Sequence, residues 1–300
     1  MGGAAFSDAA ASHPASATAG WKAWLLLAPL LVWLGVFVAL PTGLLILTSF
    51  SKRDYLGRVV YDFTLDNYLA CFDSTWLIIF GNSILYAFLA TVICVVVGYP
   101  AAYTIGRASP RVRHLLLTLV MIPFWTSFLI RTYAWISILS EQGLANSLLL
   151  ASRIFTDPLP MMYTPFSIVL GLVYNYLPFM VLPIYSVLVK VDRSLVEAAE
   201  DLGADRRRVF TRVVLPLSMP GVMSGVNMVF MPAMTTFLIP NLLGGGRYML
   251  IGNVIERQYM IARDWTTASA LSIVLLVFVL ASMRFMTRYE KGNEGGGVLL

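Results

Sequence analysis

The side chains that most often perform chemistry are scarce in this sequence, and their spacing does not suit catalysis. The two histidines are His13 and His114, the two cysteines are Cys71 and Cys94, and neither pair has the spacing of a metal-binding motif. None of the four lysines follows a glycine, which excludes a Walker A phosphate-binding loop. Paired carboxylates and a Ser/His/Asp arrangement are not visible either. The sequence therefore predicts no enzyme, no metal centre and no nucleotide site of its own.

One segment of the chain is densely charged although the sequence around it is apolar. It reads EAAEDLGADRRRVFTRVVLPL and covers residues 197–217. Ser194 followed by Glu197 has the spacing of a capping box, which predicts a short helix that starts near Leu195. Gly203 is well placed to end that helix, because glycine adopts the left-handed conformation of a helix cap without strain.

A second short helix is expected directly after this turn. Asp205 can cap the helix RRRVFTRVVL, and Pro216 is expected to end it. Ala198 and Ala199 make one side of the first helix thin, so that another surface can approach it closely. Such a projecting pair of helices suits docking into a groove. The same residues are also compatible with an ordinary solvated loop.

The composition indicates that a lipid bilayer surrounds most of the chain. The sequence therefore predicts an all-α membrane protein. Of the 300 residues, 58% are hydrophobic and 12% are charged, whereas a soluble domain carries about 25% charged residues. A spanning helix needs roughly 20 consecutive apolar residues, and windows of that length recur along the sequence. The six predicted transmembrane helices cover residues 23–50, 76–105, 115–139, 166–189, 213–239 and 267–285.

The basic residues predict how these helices are oriented in the membrane. With a cytoplasmic N-terminus, the inner segments carry thirteen Lys and Arg residues and the outer segments carry seven. Both termini and the charged segment are then cytoplasmic, and the net charge of +5 requires no nucleic acid. The domains are accordingly a disordered tail at 1–20, a transmembrane domain at 21–290 and a flexible tail at 291–300.

The charged segment resembles the EAA motif of binding-protein-dependent ABC importer permeases. The residues in register with that motif are Glu197, Ala198, Ala199, Gly203, Val213, Leu215 and Pro216. In that family the motif forms a coupling helix between helices 4 and 5, which sits in a cleft of a separate ATPase subunit. The resemblance implies a type I importer permease fold and a role in ATPase coupling for the motif residues, with Arg206 in their frame. Loop orientation by positive charge is the other interpretation of the arginines.

Three longer segments, 122–149, 163–188 and 231–246, resemble permeases of the spermidine/putrescine type, and specifically the longer of the two partner permeases. The resemblance implies a bacterial inner-membrane subunit that imports a polyamine delivered by an extracytoplasmic binding protein. It also implies a second permease, as a heterodimer, and two ATPase subunits that bind ATP and Mg²⁺ in place of this chain. Thr235 stands where many relatives have glycine, which leaves an opine, an amino-acid-like solute or an anion open as the substrate. The alternative of a self-contained carrier or channel lacks the membrane carboxylates that proton coupling uses.

Polar residues inside the predicted spans are candidates for the path of the solute. At ~1.5 Å per residue, Tyr174, Asn175 and Tyr176 lie roughly 12–15 Å below the outer end of helix 4. That depth is too great for an interfacial aromatic belt, and Asn227 in helix 5 is similarly deep. An organic cation could pass over the tyrosine rings by cation–π attraction. Alternatively, these residues hold the helices together.

Arg131 is the one ionisable residue inside a predicted span. Its cost at the centre of a membrane is ~2.5–3.5 kcal/mol on insertion scales. Its side chain could reach outward to the interface, line the solute path or contact the partner permease. Because an arginine and a polycation repel each other, a structural or gating role is favoured.

Overall fold

The structure, a computed structural model, describes residues 19–54, 57–153 and 155–295. The predicted N-terminal tail lies outside the described residues except for its last two positions, which begin the first helix. The chain divides into two compact units, Met1–Leu47 and Thr48–Leu300, and each is described by itself. The boundary falls inside the single membrane domain that the sequence predicts.

The described residues are mostly helical, because only helices satisfy every backbone polar group within one segment in a bilayer. The α-helices are α1 (Ala19–Leu34), α2 (Leu40–Ser49), α3 (Asp66–Cys71), α4 (Ser74–Arg107), α5 (Pro110–Met121), α6 (Phe128–Leu139), α7 (Leu144–Ala151), α8 (Pro165–Leu188), α9 (Arg193–Asp201), α10 (Arg206–Val209), α11 (Leu215–Thr235), α12 (Leu238–Leu243), α13 (Ile251–Met260) and α14 (Trp265–Gly295). The π-helical turns are Gly35–Ala39 and Phe210–Val214, and Ile122–Trp125 is a 3₁₀ turn. The strands β1 (Lys52–Arg53) and β2 (Val59–Val60) pair in antiparallel fashion.

The first unit is an apolar helix that continues from α1 through a π turn into α2. Its described side chains from Leu26 to Leu47 are all exposed or half-buried in the isolated chain. A helix of this composition, with no side chain buried by its own unit, is suited to contact with lipid or with another apolar surface.

Five of the six predicted spans coincide with continuous helical segments that are long and apolar enough to cross a membrane: Leu26–Ser49, Ser74–Arg107, Pro165–Leu188, Arg206–Thr235 and Trp265–Phe285. The third predicted span, 115–139, is wrong as a single helix. There the chain forms two segments, Pro110–Trp125 and Phe128–Ala151, which are bent by 92°. Thr126 breaks the helix because its backbone is extended, with φ −93° and ψ 149°. Pro123 favours a break here, because it lacks the N–H that an interior helix position donates.

The fifth predicted span, 213–239, extends too far at its outer end. Helix α11 stops at Thr235, because Thr236 adopts an extended conformation with φ −65° and ψ 141°. A separate short helix, α12, follows. The spanning segment therefore ends four residues earlier than the sequence predicts.

Helices α4, α8 and α11 form the core of the second unit and approach each other closely at glycines. A Cβ atom added at Gly225 would lie 2.7 Å from the Met180 sulfur, and one at Gly98 would lie 3.0 Å from the Met180 Cγ. One at Gly221 would lie 2.8 Å from the Pro183 carbonyl oxygen. Small residues at such crossings let the backbones of membrane helices pack directly against each other.

A short hairpin is tied to the corner between α13 and α14 by Arg53 of β1. The Arg53 guanidinium donates to the Ala262 carbonyl at 3.1 Å and lies 3.5 Å from the Asp264 carboxylate. Asp264 in turn accepts a hydrogen bond from the Thr267 amide at 3.1 Å and so caps α14. That helix runs to Gly295, so the first half of the predicted C-terminal tail is helical, and residues 296–300 lie outside the described residues.

Candidate functional site

The charged segment forms an exposed loop, residues 192–216, which we call the coupling loop. Its first helix, α9, begins at Arg193 and not near Leu195, because Asp192 is its cap. The Asp192 carboxylate accepts a hydrogen bond from the Ser194 amide at 3.0 Å, and this bond lowers the pKa of Asp192. The predicted capping box of Ser194 and Glu197 is therefore wrong. The Asp192 carboxylate takes the Ser194 amide that the Glu197 carboxylate would bond to in a capping box.

Gly203 ends α9 as the sequence predicts. Its φ is +80°, in the left-handed region, and a Cβ atom there would touch nothing within 4 Å. The Gly203 amide donates to the Glu200 carbonyl at 2.9 Å, and the Ala204 amide donates to the Ala199 carbonyl at 3.0 Å. These bonds satisfy carbonyls that the end of α9 would otherwise leave free.

The second helix of the coupling loop is capped as predicted but does not end as predicted. The Asp205 carboxylate accepts from the Arg208 amide at 2.9 Å. Pro216 does not terminate the helix; α10 continues through a π turn into α11 and forms one helical segment, Arg206–Thr235. In the π turn the Leu215 amide donates to the Phe210 carbonyl, five residues back, which shifts the hydrogen-bond pattern just before the proline ring.

Most of the predicted coupling residues are exposed. Glu197, Ala198, Gly203 and Arg206 are exposed and Ala199 is half-buried. Leu215, half-buried, and Pro216, exposed, lie at the base of the loop where α11 begins. Across the described residues, Arg206 has no carboxylate within ion-pair distance.

Leu202 is a coupling-loop residue that the sequence analysis did not single out. Its side chain is 90% exposed, directly before Gly203. Single exposed leucines are common on protein surfaces, so the position of Leu202 in the coupling loop is what makes it a candidate contact for a partner. The sequence does contain a signal for this residue, because the leucine stands between a run of charged residues and the glycine that ends the helix.

The polar residues of the predicted path are buried between helices. Asn175 is 2% exposed; its amide nitrogen donates to the Gly171 carbonyl at 2.9 Å and its amide oxygen is buried with no partner. The Asn227 amide oxygen is likewise buried without a partner. The two helices at the centre of the bundle, α8 and α11, therefore each carry one buried acceptor that the described residues leave unpaired.

The two tyrosines of the predicted path have different surroundings. Tyr176 is buried and donates from its hydroxyl to the Pro232 carbonyl at 3.4 Å, which ties α8 to α11. Tyr174 is half-buried and its ring packs edge-on against Trp135 at 5.3 Å. Only Tyr174 retains a partly open ring in this conformation.

Arg131 lies in the first turn of α6, just after the bend. Its Nε and Nη1 atoms are buried and have no hydrogen-bond partner in the described chain. The guanidinium carbon is 5.4 Å from the Phe124 ring centroid and 5.8 Å from that of Phe128. Both distances are near the outer limit of cation–π attraction, so the rings compensate only part of the charge.

The sequence is similar to a known protein family and to known permeases. Residues 95–294 match the model of the family described as "Binding-protein-dependent transport system inner membrane component". The spermidine/putrescine transport system permease protein PotB of Escherichia coli is 43% identical over 245 residues, covering 82% of this chain and 89% of its own. The corresponding Haemophilus influenzae protein is 40% identical over 262 residues, covering 87% and 91%.

Solved structures share the fold. A chain of a bacterial ABC transporter involved in the import of the acidic polysaccharide alginate superposes with a TM-score of 0.75 at 19% identity, covering 91% of this chain and 96% of its own. At that identity the likeness concerns the fold, which is the type I importer permease fold expected from the coupling loop. The family match, the identity to the two permeases and the multi-pass helical architecture agree: the chain belongs to the binding-protein-dependent transport system inner membrane components, as a permease subunit.

Proposed function

We propose that this permease subunit imports a polyamine of the spermidine/putrescine class. The support for the solute is the identity of 43% and 40%, over most of the chain, to two permeases that carry that name. The support for an ATP-driven mechanism is the geometry of the coupling loop. Two capped helices there meet at a left-handed glycine and carry several exposed side chains.

The proposed partners follow from this assignment. Two ATPase subunits, which bind ATP and Mg²⁺, engage the coupling loop through Glu197, Ala198, Ala199, Gly203 and Arg206. A second permease completes the translocation path as a heterodimer, and an extracytoplasmic binding protein delivers the solute. A solved alginate ABC transporter in this fold is in complex with an alginate pentasaccharide-bound periplasmic protein, which supports that arrangement for the fold.

The continuous helix Arg206–Thr235 supports a direct mechanical connection between ATPase and bundle. Its 30 residues span about 45 Å at ~1.5 Å per residue. A displacement of the coupling loop is therefore carried along one helix to the residues that pack against α4 and α8. Leu215 and Pro216 lie where the loop joins this helix, and they would transmit the movement.

We place both termini and the coupling loop in the cytoplasm of a bacterial cell, with the chain in the inner membrane. The thirteen inner against seven outer basic residues support this orientation. The family description names an inner membrane component, which supports the location.

We propose that Asn175 and Asn227 contribute acceptors to the solute path, in a conformation more open than the one described. Each has a buried oxygen without a donor, and the ammonium groups of a polyamine supply donors. Tyr174 offers a partly open ring face for a cation, and Tyr176 would have to leave the Pro232 carbonyl to do the same. Arg131 borders the path without binding the cation, because the two charges repel.

The test is a complete transporter reconstituted with Gly203→Ala in this chain. At a φ of +80° an alanine is strained by about 1–2 kcal/mol, which shifts the end of α9. We expect ATP hydrolysis to continue while spermidine uptake per ATP falls by about tenfold, since 1.4 kcal/mol corresponds to a factor of ten.

Gly57→Ala is the matched control for this experiment. Gly57 has a φ of +77°, and a Cβ atom there would meet only Arg53, at ordinary contact distance. The same strain is thereby introduced outside the coupling loop, and uptake per ATP should remain near the wild-type ratio. Unchanged coupling in Gly203→Ala would refute the proposed role of the loop.

A further inference from the structure

A cavity of about 430 Å³ separates the coupling helix α9 from the bundle. Its walls come from the C-terminal ends of α4 and α8, from α5, from α9 and from the π turn that precedes α11. That volume falls within the range of small-molecule sites in proteins, roughly 300–1,000 Å³. The cavity is therefore large enough for a compact ligand between the part that meets the ATPase and the part that spans the membrane.

Charges of both signs line this cavity on opposite elements. Arg107 and Arg113 belong to α4 and α5, and Glu197 and Glu200 belong to α9. The ion pairs found in the described residues join Lys52 to Asp62, Arg53 to Asp264 and Arg208 to Asp205, so none of the four cavity charges is paired. Unpaired charges of opposite sign across one cavity create a site for a ligand with the complementary pair of charges.

The two arginines are held in place by other contacts. The Arg113 Nη2 donates to the Gly106 carbonyl at 3.0 Å and to the Ala108 carbonyl at 3.3 Å. Its Nε is buried and has no partner in the described chain. The Arg107 guanidinium lies 4.4 Å from the centroid of the Tyr103 ring. The cationic side of the cavity is thus preorganised by contacts within the chain.

We propose that this cavity binds a dipolar ligand that carries a phosphate or carboxylate and a primary ammonium. The anion lies against Arg107 and Arg113, whose donors match phosphate and carboxylate oxygens. The ammonium lies against Glu200, and the linking carbon atoms face Leu188 and Val214 of the apolar wall. Phosphatidylethanolamine head groups and free amino acids share this chemistry. The site itself does not depend on which solute the permease carries.

The occupied site would connect the coupling helix to the bundle. A ligand that bridges α9 to α4 and α5 replaces an empty, charged gap with two sets of charge-assisted hydrogen bonds. Movement of α9 would then be passed on to α4 as well as to α11. This consequence rests on the proposed function, whereas binding of the ligand can be measured without transport.

The experiment is native mass spectrometry of the complete transporter released from nanodiscs of phosphatidylethanolamine with phosphatidylglycerol. Arg107→Gln and Glu200→Gln each remove one charge that lines the cavity. The controls are Arg111→Gln and Asp201→Asn, which remove the same charges from α5 and α9 at residues that do not line it. A parallel titration of transporter in nanodiscs of phosphatidylglycerol alone uses L-alanine as the soluble probe.

We expect each cavity variant to retain about tenfold less phosphatidylethanolamine than wild type, because a lost charge-assisted hydrogen bond costs about 1.5 kcal/mol. The two control variants should match wild type. Loss of alanine binding in the same two variants, with unchanged lipid retention, would support the site and identify its ligand as a free solute. If neither probe distinguishes the cavity variants from the controls, the site does not exist. Uptake is not part of this readout, so failure of the polyamine assignment would leave these results unaffected.

Discussion

Individual polar residues in the membrane-spanning segments differ in whether their side-chain groups have hydrogen-bond partners in the folded chain. Asn146 is fully buried and satisfied: its amide nitrogen donates to the Ser140 and Leu159 carbonyls, and its oxygen accepts from the Leu159 amide at 2.8 Å. Asn175 is buried to nearly the same degree but leaves its oxygen unpaired. A residue retained in spite of an unsatisfied group is a candidate for a role outside packing.

Replacement of both asparagines with leucine should separate these roles. Asn146→Leu should destabilise the protein by about 1–3 kcal/mol, because it strands three buried backbone partners. Asn175→Leu should leave the thermal midpoint unchanged or higher but reduce polyamine uptake. Thermal unfolding in detergent and uptake by reconstituted transporter are the two measurements. Wild-type uptake in Asn175→Leu would show that this oxygen has no part in the path.

Arg131 is predicted to affect the rate of transport and not the choice of solute. Its two buried donors are unpaired, so Arg131→Gln removes a charge that the nearby rings compensate only in part, at the bend between α5 and α6. We expect the maximal uptake rate to change while the ratio of spermidine to putrescine uptake stays constant. Competition uptake with both polyamines measures that ratio. A shifted ratio would place the guanidinium in contact with the solute.

At the scale of elements, the spans were predictable and their ends were not. Long charge-free windows identify helices because the bilayer admits few other structures. The bend at Thr126 depends on one residue's backbone angles, and hydropathy contains no information on those. Similarly, Asp192 and Ser194 are both good helix caps, and only the folded backbone decides between them. Gly203 and Asp205 were predictable because a left-handed turn and a cap follow from the residue type itself.

The cap of α10 should matter for coupling as well as for helix formation. Asp205→Ala removes the acceptor for the Arg208 amide, which costs about 1 kcal/mol at a helix start. We expect a lower ratio of uptake to ATP hydrolysis, because the start of the helix that leads into α11 frays. Asp205→Asn keeps an acceptor oxygen and should restore the ratio. If the Asp205→Asn variant folds normally but does not restore the ratio, the charge of Asp205 matters for coupling and its capping hydrogen bond does not.

At the scale of the whole molecule, one exposed corner joins residues some 200 positions apart in sequence. Burial raises the pKa of Asp264, but hydrogen bonds from two neighbouring threonines and the charge of Arg53 outweigh it. The pKa of Asp264 is therefore lower than its ordinary value. The side chain is 18% exposed, so solvent screens these contacts only in part.

This lowered pKa predicts how stability changes with pH. A carboxyl whose pKa is lower in the folded state stabilises the fold above its unfolded pKa, about 3.9, and loses that contribution as pH falls through the folded pKa. Asp264→Asn should remove this part of the acid sensitivity. The exposed Asp62, paired with Lys52, is the control, and Asp62→Asn should change the profile little. The measurement is the thermal midpoint of unfolding between neutral and acidic pH. If the midpoint of Asp264→Asn falls with pH as steeply as that of the wild type, the inference is wrong.

The exposed side chain of Leu202 also bears on how assembly of the transporter can be followed. In the free chain this leucine is 90% open to water. Engagement of an ATPase would cover it. In the proposed complex this side chain would change from open to covered, so its accessibility would report that assembly is complete.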